Sequence, residues 1–317
     1  RVCGTGIECI IQAADAASLG RVNVGLCVGA ESMSRNPVAA FTHRNGFRLG
    51  QVEFKDFLWE SLTDPAADTN MGGTAENLAR KYGITREEVD SYAARSFARA
   101  IAAQESGFLA GEITPVITET FQREGLKPRG IRLPGKVKEF ASDTHIRPSS
   151  FEALQALRPA FGGVQTGGNS SGIVDGAAAA LVATGEYARA NGKKPLARLV
   201  AGAAIGCEPG CMGIGPAPAI RLVLARAGLQ LSQIDRIEIN EAFGAQVLAV
   251  CKELGLDQDK LNVNGGAIAI GHPLAATGVR ISVTLARELP RANKRYGIAS
   301  ACIGGGQGIA LLIENVQ

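Results

Sequence analysis

From about residue 195 onward, apolar residues alternate between short continuous runs and runs at helical spacing. Pro195 to Ala204 reads as a strand. Ile220, Val223, Leu224 and Ala227 share the face of a helix that starts near Ala217 and stops at Gly228. Ile234 to Asn240 reads as a strand, and Phe243, Val247, Leu248, Cys251 and Leu254 mark a second helix ending at Gly255. Leu261 to Val263 predicts a short strand. A third helix begins at Pro273, where a missing N–H costs nothing, and continues through Ile281 and Leu285. Tyr296 to Cys302 and Ile309 to Ile313 close the chain as two strands. The order βαβαβαββ predicts a mostly parallel sheet covered by helices.

The front of the chain repeats the end of that pattern. Ile7, Ile10, Ile11, Ala14 and Ala17 mark a helix, Gly20 stops it, and Val22 to Val28 reads as a strand. A partner for that strand comes much later, at Asp175 to Ala183. Residues 31–174 are mixed in character and rich in Pro, Gly and charge, with one plain helix. There Thr85 and Glu88 form a capping box ahead of Val89, Tyr92, Ala93, Phe97 and Ile101. The pattern predicts two similar α/β halves. The first is residues 1–30 with 175–190, the second is 191–317, and 31–174 is an insertion into the first. The first half lacks the opening βαβαβ of the second, so the chain is expected to begin in mid-domain.

Composition narrows the function classes. The chain has 317 residues, 46% hydrophobic and 20% charged, with 33 basic against 30 acidic residues and 5% aromatics. That balance offers neither the basic stripe nor the stacking platforms of a nucleic-acid binder. No apolar run approaches a membrane span. The seven cysteines lack the dense spacing of a disulfide scaffold, which points to a reducing compartment, cytoplasmic or organellar. Cys207 and Cys211 have no His or Cys cluster to complete a metal site, so no metal is expected.

Candidate chemistry gathers where strands end. In an open α/β sheet, ligands bind beyond the carboxyl ends of the strands. Asn240 and Cys302 fall at predicted strand ends, His272 follows a glycine turn, and Cys3 precedes a helix in a place that looks equivalent to that of His272. A helix N-terminus and a nearby imidazole would favour the Cys3 thiolate and lower its pKa. The glycines of NVNGGAIAIGHPLAATG (262–278) and CIGGGQG (302–308) leave bare backbone that a ligand could approach, with N–H groups free for an oxyanion. His43 reads as a solvated loop residue and His145 as structural. The basic run 123–138 reads as a solvated face.

These two segments, with NEAFGAQ (240–246), resemble the C-terminal signatures of the thiolase family. VCGTG around Cys3, GAESMSRNP (29–37), MGGTAENLA (71–79), LRPAF (157–161) and GGNSSGIVDGAAA (167–179) fit the same family in order and spacing. The resemblance implies a five-layered αβαβα fold of two similar halves with an inserted loop domain. It also implies acyl transfer between thioesters of coenzyme A, a substrate and not a tightly bound cofactor, and a homodimer or homotetramer. Cys3 would be the acylated nucleophile, His272 its base, and Cys302 the second acid/base. Asn240 would hold a water that binds the thioester oxygen with His272, and the N–H groups of Cys3 and Gly304 would form a second oxyanion hole. Ser171, Gly167, Phe161, Met71, Ala242 and Phe243 would line the pantetheine tunnel, and Arg147 would meet the nucleotide phosphates.

Two departures stand out. Biosynthetic members carry a histidine where this chain has Asn70, which hints at a broader or degradative 3-ketoacyl substrate. The chain also resembles a member lacking the N-terminal part of its first half. The competing functions are a ketoacyl synthase-like condensing enzyme, a non-catalytic acyl-CoA-binding homologue and a cysteine hydrolase. The synthases have Cys-His-His sites where this chain offers Asn240 and a second cysteine.

Overall fold

The structure is a computed structural model describing residues 1–317. In chain order its main elements are α1 (Thr5–Ser18), β1 (Val24–Ser32), α2 (Met71–Tyr82) and α3 (Arg86–Glu105). After the insertion come β2 (Asp175–Ala183), β3 (Ala197–Gly206), α4 (Pro216–Ala227), β4 (Arg236–Ile239), α5 (Gly244–Leu254), α6 (Leu274–Arg291), β5 (Tyr296–Ile303) and β6 (Gln307–Asn315). The helix signals act where the sequence puts them. Thr85 and Glu88 close a capping box at the start of α3. Asn70 caps α2 by accepting the Gly73 N–H at 2.8 Å. Gly228 and Gly255 end α4 and α5 in the left-handed conformation.

The main sheet runs β3-β6-β5-β4, and it is not mostly parallel. Only β4 and β5 pair in parallel; β5–β6 and β6–β3 are antiparallel. A parallel neighbour needs a long crossover, and α6 supplies one between β4 and β5. Only Gly304–Gly306 separates β5 from β6, which forces a hairpin. The strand expected at Leu261 to Val263 shrinks to a single bridge between Ile237 and Leu261. Asn262 interrupts it: its φ is +45°, and its carboxamide takes the place of a strand backbone by bonding both the N–H and the C=O of Ile239 at 2.9 Å.

Alternate residues of the sheet feed two cores. Ile237, Ile239, Ile298 and Leu312 pack with Ile220, Val223, Val247 and Val250 of α4 and α5. Ala299, Ala301, Leu311 and Ile313 pack with Ile7, Ile10, Ile281 and Leu285 of α1 and α6. Each fully buried aliphatic side chain contributes about 1.5–3 kcal/mol. Beyond α1 and α6 lies an antiparallel ribbon of β1 and β2, paired from Val24–Ala183 to Ser32–Asp175. Cys27 and Val182 face the helices, while Leu26 and Leu181 point outward, 68% and 71% exposed. The layers therefore run α–β–α–β, in the order of the five-layered sandwich, with the outer face of the ribbon open. At the ribbon's end the insertion departs through a neck closed by Ser34, whose N–H and O–H donate to Asp175 at 2.9 and 2.6 Å.

α1 and α6 touch backbone to backbone. A methyl added to Gly6 would lie 2.8 Å from Gly278 Cα, and one added to Gly278 would lie 2.9 Å from Gly6 Cα. Only glycine allows that approach. The contact matches Thr5–Gly6 with Thr277–Gly278, which sets Cys3 against Ala275. Cys3 and His272 are thus near neighbours in the two halves but not equivalent positions.

Candidate active site

β4 delivers Asn240, whose N–H continues the sheet by donating to Ser300 O at 2.9 Å. The next residue, Glu241, anchors the surrounding loops. Its buried carboxylate accepts from Tyr92 Oη (2.8 Å), Ser96 Oγ (2.7 Å), Asn262 Nδ2 (2.9 Å) and the Ile268 N–H (3.1 Å). This corrects one expectation about the glycines. Gly265 lies against the Ala100 backbone, and any side chain on Gly266 would strike the Glu241 carboxylate. Their bare backbone is filled by α3 and Glu241, not left for a ligand.

His272 is 4% exposed and held at three points. Its N–H donates to Gly172 O at 3.0 Å. Its Nδ1 lies 2.6 Å from Thr277 Oγ1, and Asn240 Nδ2 lies 3.2 Å from its Nε2. Thr277 gives its own hydroxyl proton to Pro273 O at 3.1 Å, so its oxygen accepts from Nδ1–H. The proton therefore sits on Nδ1, and Nε2 presents a lone pair toward the Asn240 amide. Burial, helped by the Arg280 charge, holds the imidazole down to about 3, so it is neutral at any ordinary pH. Asn240 Oδ1 is buried without a protein partner. Thr277 and Gly172 are site residues that sequence reasoning missed. Thr277 sits in the quoted segment, five residues past His272, where the first turn of α6 brings a hydroxyl back to the ring.

Cys3 lies in a single turn, Val2–Gly4, leading into α1, and packs with Met33 and Leu274. Its thiol is not lowered as expected from the helix N-terminus. Burial pushes it up to about 11, outweighing the N–H groups of Gly304 and of Cys3 itself, which both point at the sulfur; Glu31 adds to the rise. Desolvation of a thiolate in a closed site exceeds what two amide donors return. Cys302 is fully buried beside Cys3 and Cys207, and its thiol is also raised, chiefly by burial. Cys3, Cys302 and Gly304 thus form one group, and Asn240, His272 and Thr277 another. Leu274 joins them, two residues beyond His272 and in contact with Cys3. No hydrogen bond links Cys3 to His272.

Most of the residues expected in the tunnel touch one another, in a chain that reaches Cys302. Met71 and Phe243 pack on Met212, Ala242 and Cys302. The Phe161 ring covers Gly72 and meets Phe243 edge-on, with centroids 6.1 Å apart. Ser171 N–H donates to Ala242 O at 3.0 Å, and Gly167 lies exposed with open space at its Cα. Arg147, expected at the nucleotide phosphates, donates to His145 O at 3.0 Å, and its guanidinium lies over the Phe97 ring. His145 is structural: its ring covers Gly172 and its Nδ1 lies 2.9 Å from Ala269 O. Such an arrangement can do thiol chemistry: it holds a buried thiol with amide donors at its sulfur, a second thiol and a neutral imidazole.

Comparison with known proteins agrees with that chemistry. Residues 1–186 match the family model "Thiolase, N-terminal domain" and residues 193–315 match "Thiolase, C-terminal domain". The chain is 43% identical over 319 residues to the human mitochondrial 3-ketoacyl-CoA thiolase, covering 99% of this chain and 77% of that protein. It is 45% identical over 317 residues to an acetyl-CoA acetyltransferase of Chromobacterium violaceum, covering 99% and 78%. Among solved structures, that of human mitochondrial 3-ketoacyl-CoA thiolase in complex with CoA superposes with a TM-score of 0.91 at 42% identity, over 99% of this chain and 76% of that one.

Proposed function

The chain belongs to the thiolase family, and from that premise we propose that it is an acetyl-CoA C-acyltransferase working through an acyl-enzyme on Cys3. In the thiolytic direction, Cys3 Sγ adds to the 3-keto carbon of a 3-ketoacyl-CoA, its proton passing to His272 Nε2. The bond between C2 and C3 then breaks, and the electron pair left on C2 takes a proton from Cys302, releasing acetyl-CoA. Coenzyme A thiol attacks the acyl-cysteine and gives its proton to the Cys302 thiolate, while His272 returns its proton to the Cys3 sulfur as that sulfur leaves. Condensation of acetyl-CoA runs the same steps backward. The N–H pair of Cys3 and Gly304 would hold the oxyanion of the acyl-cysteine. Asn240, with its unpartnered Oδ1, would hold the water that serves the other thioester oxygen.

The observation that carries this reading is the convergence of two buried thiols and two amide donors at the end of the Met71–Phe161–Phe243 lining. The raised pKa of Cys3 fits it. A thiol kept protonated until substrate enters needs a base, and the Nδ1-protonated His272 has an unprotonated Nε2 beside Asn240. Catalytic hydrogen bonds often tighten only with substrate bound. Coenzyme A thioesters are the proposed ligands, and a homodimer or homotetramer the proposed assembly. All seven cysteines are free, which supports a reducing compartment. The test is mass detection of an acetyl group on Cys3 after mixing with acetyl-CoA. Thiolysis of acetoacetyl-CoA is then compared with that of a longer 3-ketoacyl-CoA. Cys302→Ser is expected to acylate normally yet fail to exchange the α-protons of acetyl-CoA with deuterium. An unlabelled Cys3, or normal exchange in the serine variant, would overturn the assignment.

A further inference from the structure

Cleavage between C2 and C3 sends the two parts of a 3-ketoacyl-CoA in different directions. C2, with the pantetheine arm, belongs to Cys302, and C3, with the acyl tail, belongs to Cys3. The apolar side chains of the site divide in the same way. Met71, Met212, Ala242 and Phe243 pack with Cys302. Met33 and Leu274 pack with Cys3, and Leu58 packs on that second group. Cys3 is only 7% exposed, and a close-packed group admits an acyl tail only where one of its side chains gives room.

The three side chains differ in their backing. Leu274 begins α6, which lies between the sheet and the ribbon. Met33 follows β1 at the neck that Ser34 and Asp175 close. Leu58 instead stands on a short surface helix, Phe57–Ser61, whose Phe57 and Trp59 are 43% and 51% exposed. The helix is held through its backbone. Asp56 accepts from the N–H groups of Leu58 and Trp59 at 2.9 and 3.4 Å. The Phe57 N–H donates to Pro37 O at 3.0 Å, and the Met71 N–H donates to Leu62 O at 2.9 Å. None of these bonds uses the Leu58 side chain, so shortening it opens the group without freeing the helix.

We propose that Leu58 is a specificity residue for the acyl transfer, the wall that confines the group carried on Cys3 to a short one such as acetyl. This rests on the reading of Cys3 as the acylated residue. In an apolar pocket the fit of a single methylene changes discrimination by about 10- to 200-fold, so one leucine is enough to exclude a long tail.

Two measurements decide it. The first is the ratio of kcat/KM for thiolysis of 3-ketooctanoyl-CoA to that for acetoacetyl-CoA. It is expected to rise at least about tenfold in Leu58→Ala. It is expected to keep the wild-type value in Trp59→Ala, on the exposed side of the same helix. The second needs no turnover: Cys3 is labelled with methyl or octyl methanethiosulfonate and followed by peptide mass. The octyl reagent is expected to lag in the wild type and to gain at least about tenfold on the methyl reagent in Leu58→Ala. Should Leu58→Ala fail to fold, Leu58→Val shortens the wall less, and both ratios are expected to rise by a smaller factor. Unchanged ratios in a folded Leu58 variant, or an equal rise in Trp59→Ala, would overturn the proposal. A protein that cleaves neither thioester would remove the catalytic reading, and the labelling ratio would still decide Leu58.

Discussion

The sheet of β3–β6 and the ribbon of β1 and β2 use similar amino acids to different ends. β5 and β6 are apolar on both faces and buried on both, with α4 and α5 on one side and α1 and α6 on the other. The ribbon is also apolar on both faces, through Val24, Leu26 and Val28 outside and Cys27 and Val182 inside, yet only the inner face is covered. Strands that read as continuous apolar runs normally have helices on both faces. The difference teaches where the candidate site draws its rigidity. Asn240, Cys302 and Gly304 stand at the end of the fully covered sheet, whereas Cys3 is fixed by the helical layer between the two.

The strongest test of that picture aims at the middle layer. Gly278→Val should cost at least about 4 kcal/mol or prevent folding, because backbone on α1 cannot move aside; denaturant unfolding would show it. A wild-type midpoint would mean the two helices are free to part. In the covered sheet, Ile298→Ala is expected to cost about 3 kcal/mol by cavity formation. A loss under about 1 kcal/mol would erase the contrast with the ribbon. Glu238 gives a smaller, pH-dependent effect. Its carboxyl is raised from 4.5 to about 8 by burial, so the unfolded chain ionises first. Its contribution is full below pH 4.5 and is lost as pH rises through 8. Glu238→Gln should therefore unfold at higher denaturant than wild type at pH 8, with the gain shrinking toward pH 5; equal gains at both would refute the burial argument. The smallest effect belongs to the ribbon's outer face, where Leu26→Ala should change stability by no more than about 0.5 kcal/mol. A loss like that of Ile298→Ala would show that something covers this face in solution.

Much of the architecture was legible because periodicity and capping are local. The helix faces of α4, α5 and α6, the capping box at Thr85 and Glu88 and the distant pairing of β1 with β2 all follow from the residues themselves. Strand direction was not legible, since it depends on how few residues join β5 to β6. The strand at Leu261 was misread because Asn262 bonds Ile239 with its side chain, which a hydrophobic pattern does not register. At the site, residue types at strand ends were readable, and the roles of Thr277 and Glu241 were not. Both act by contacts across the fold, and the pKa of Cys3 turned on burial that no local pattern gives.

The Gly6–Gly278 crossing has local symmetry. Each glycine meets the other's Cα, at 2.8 and 2.9 Å, and each would strike the amide nitrogen following the other. The two helix starts therefore face one another as the two sides of a twofold contact do. Neither helix can slide along the other without driving backbone into backbone. The start of the helix beside the cysteine is thus locked in register with the start of the helix beside the histidine, and a side chain at either glycine would disturb both at once.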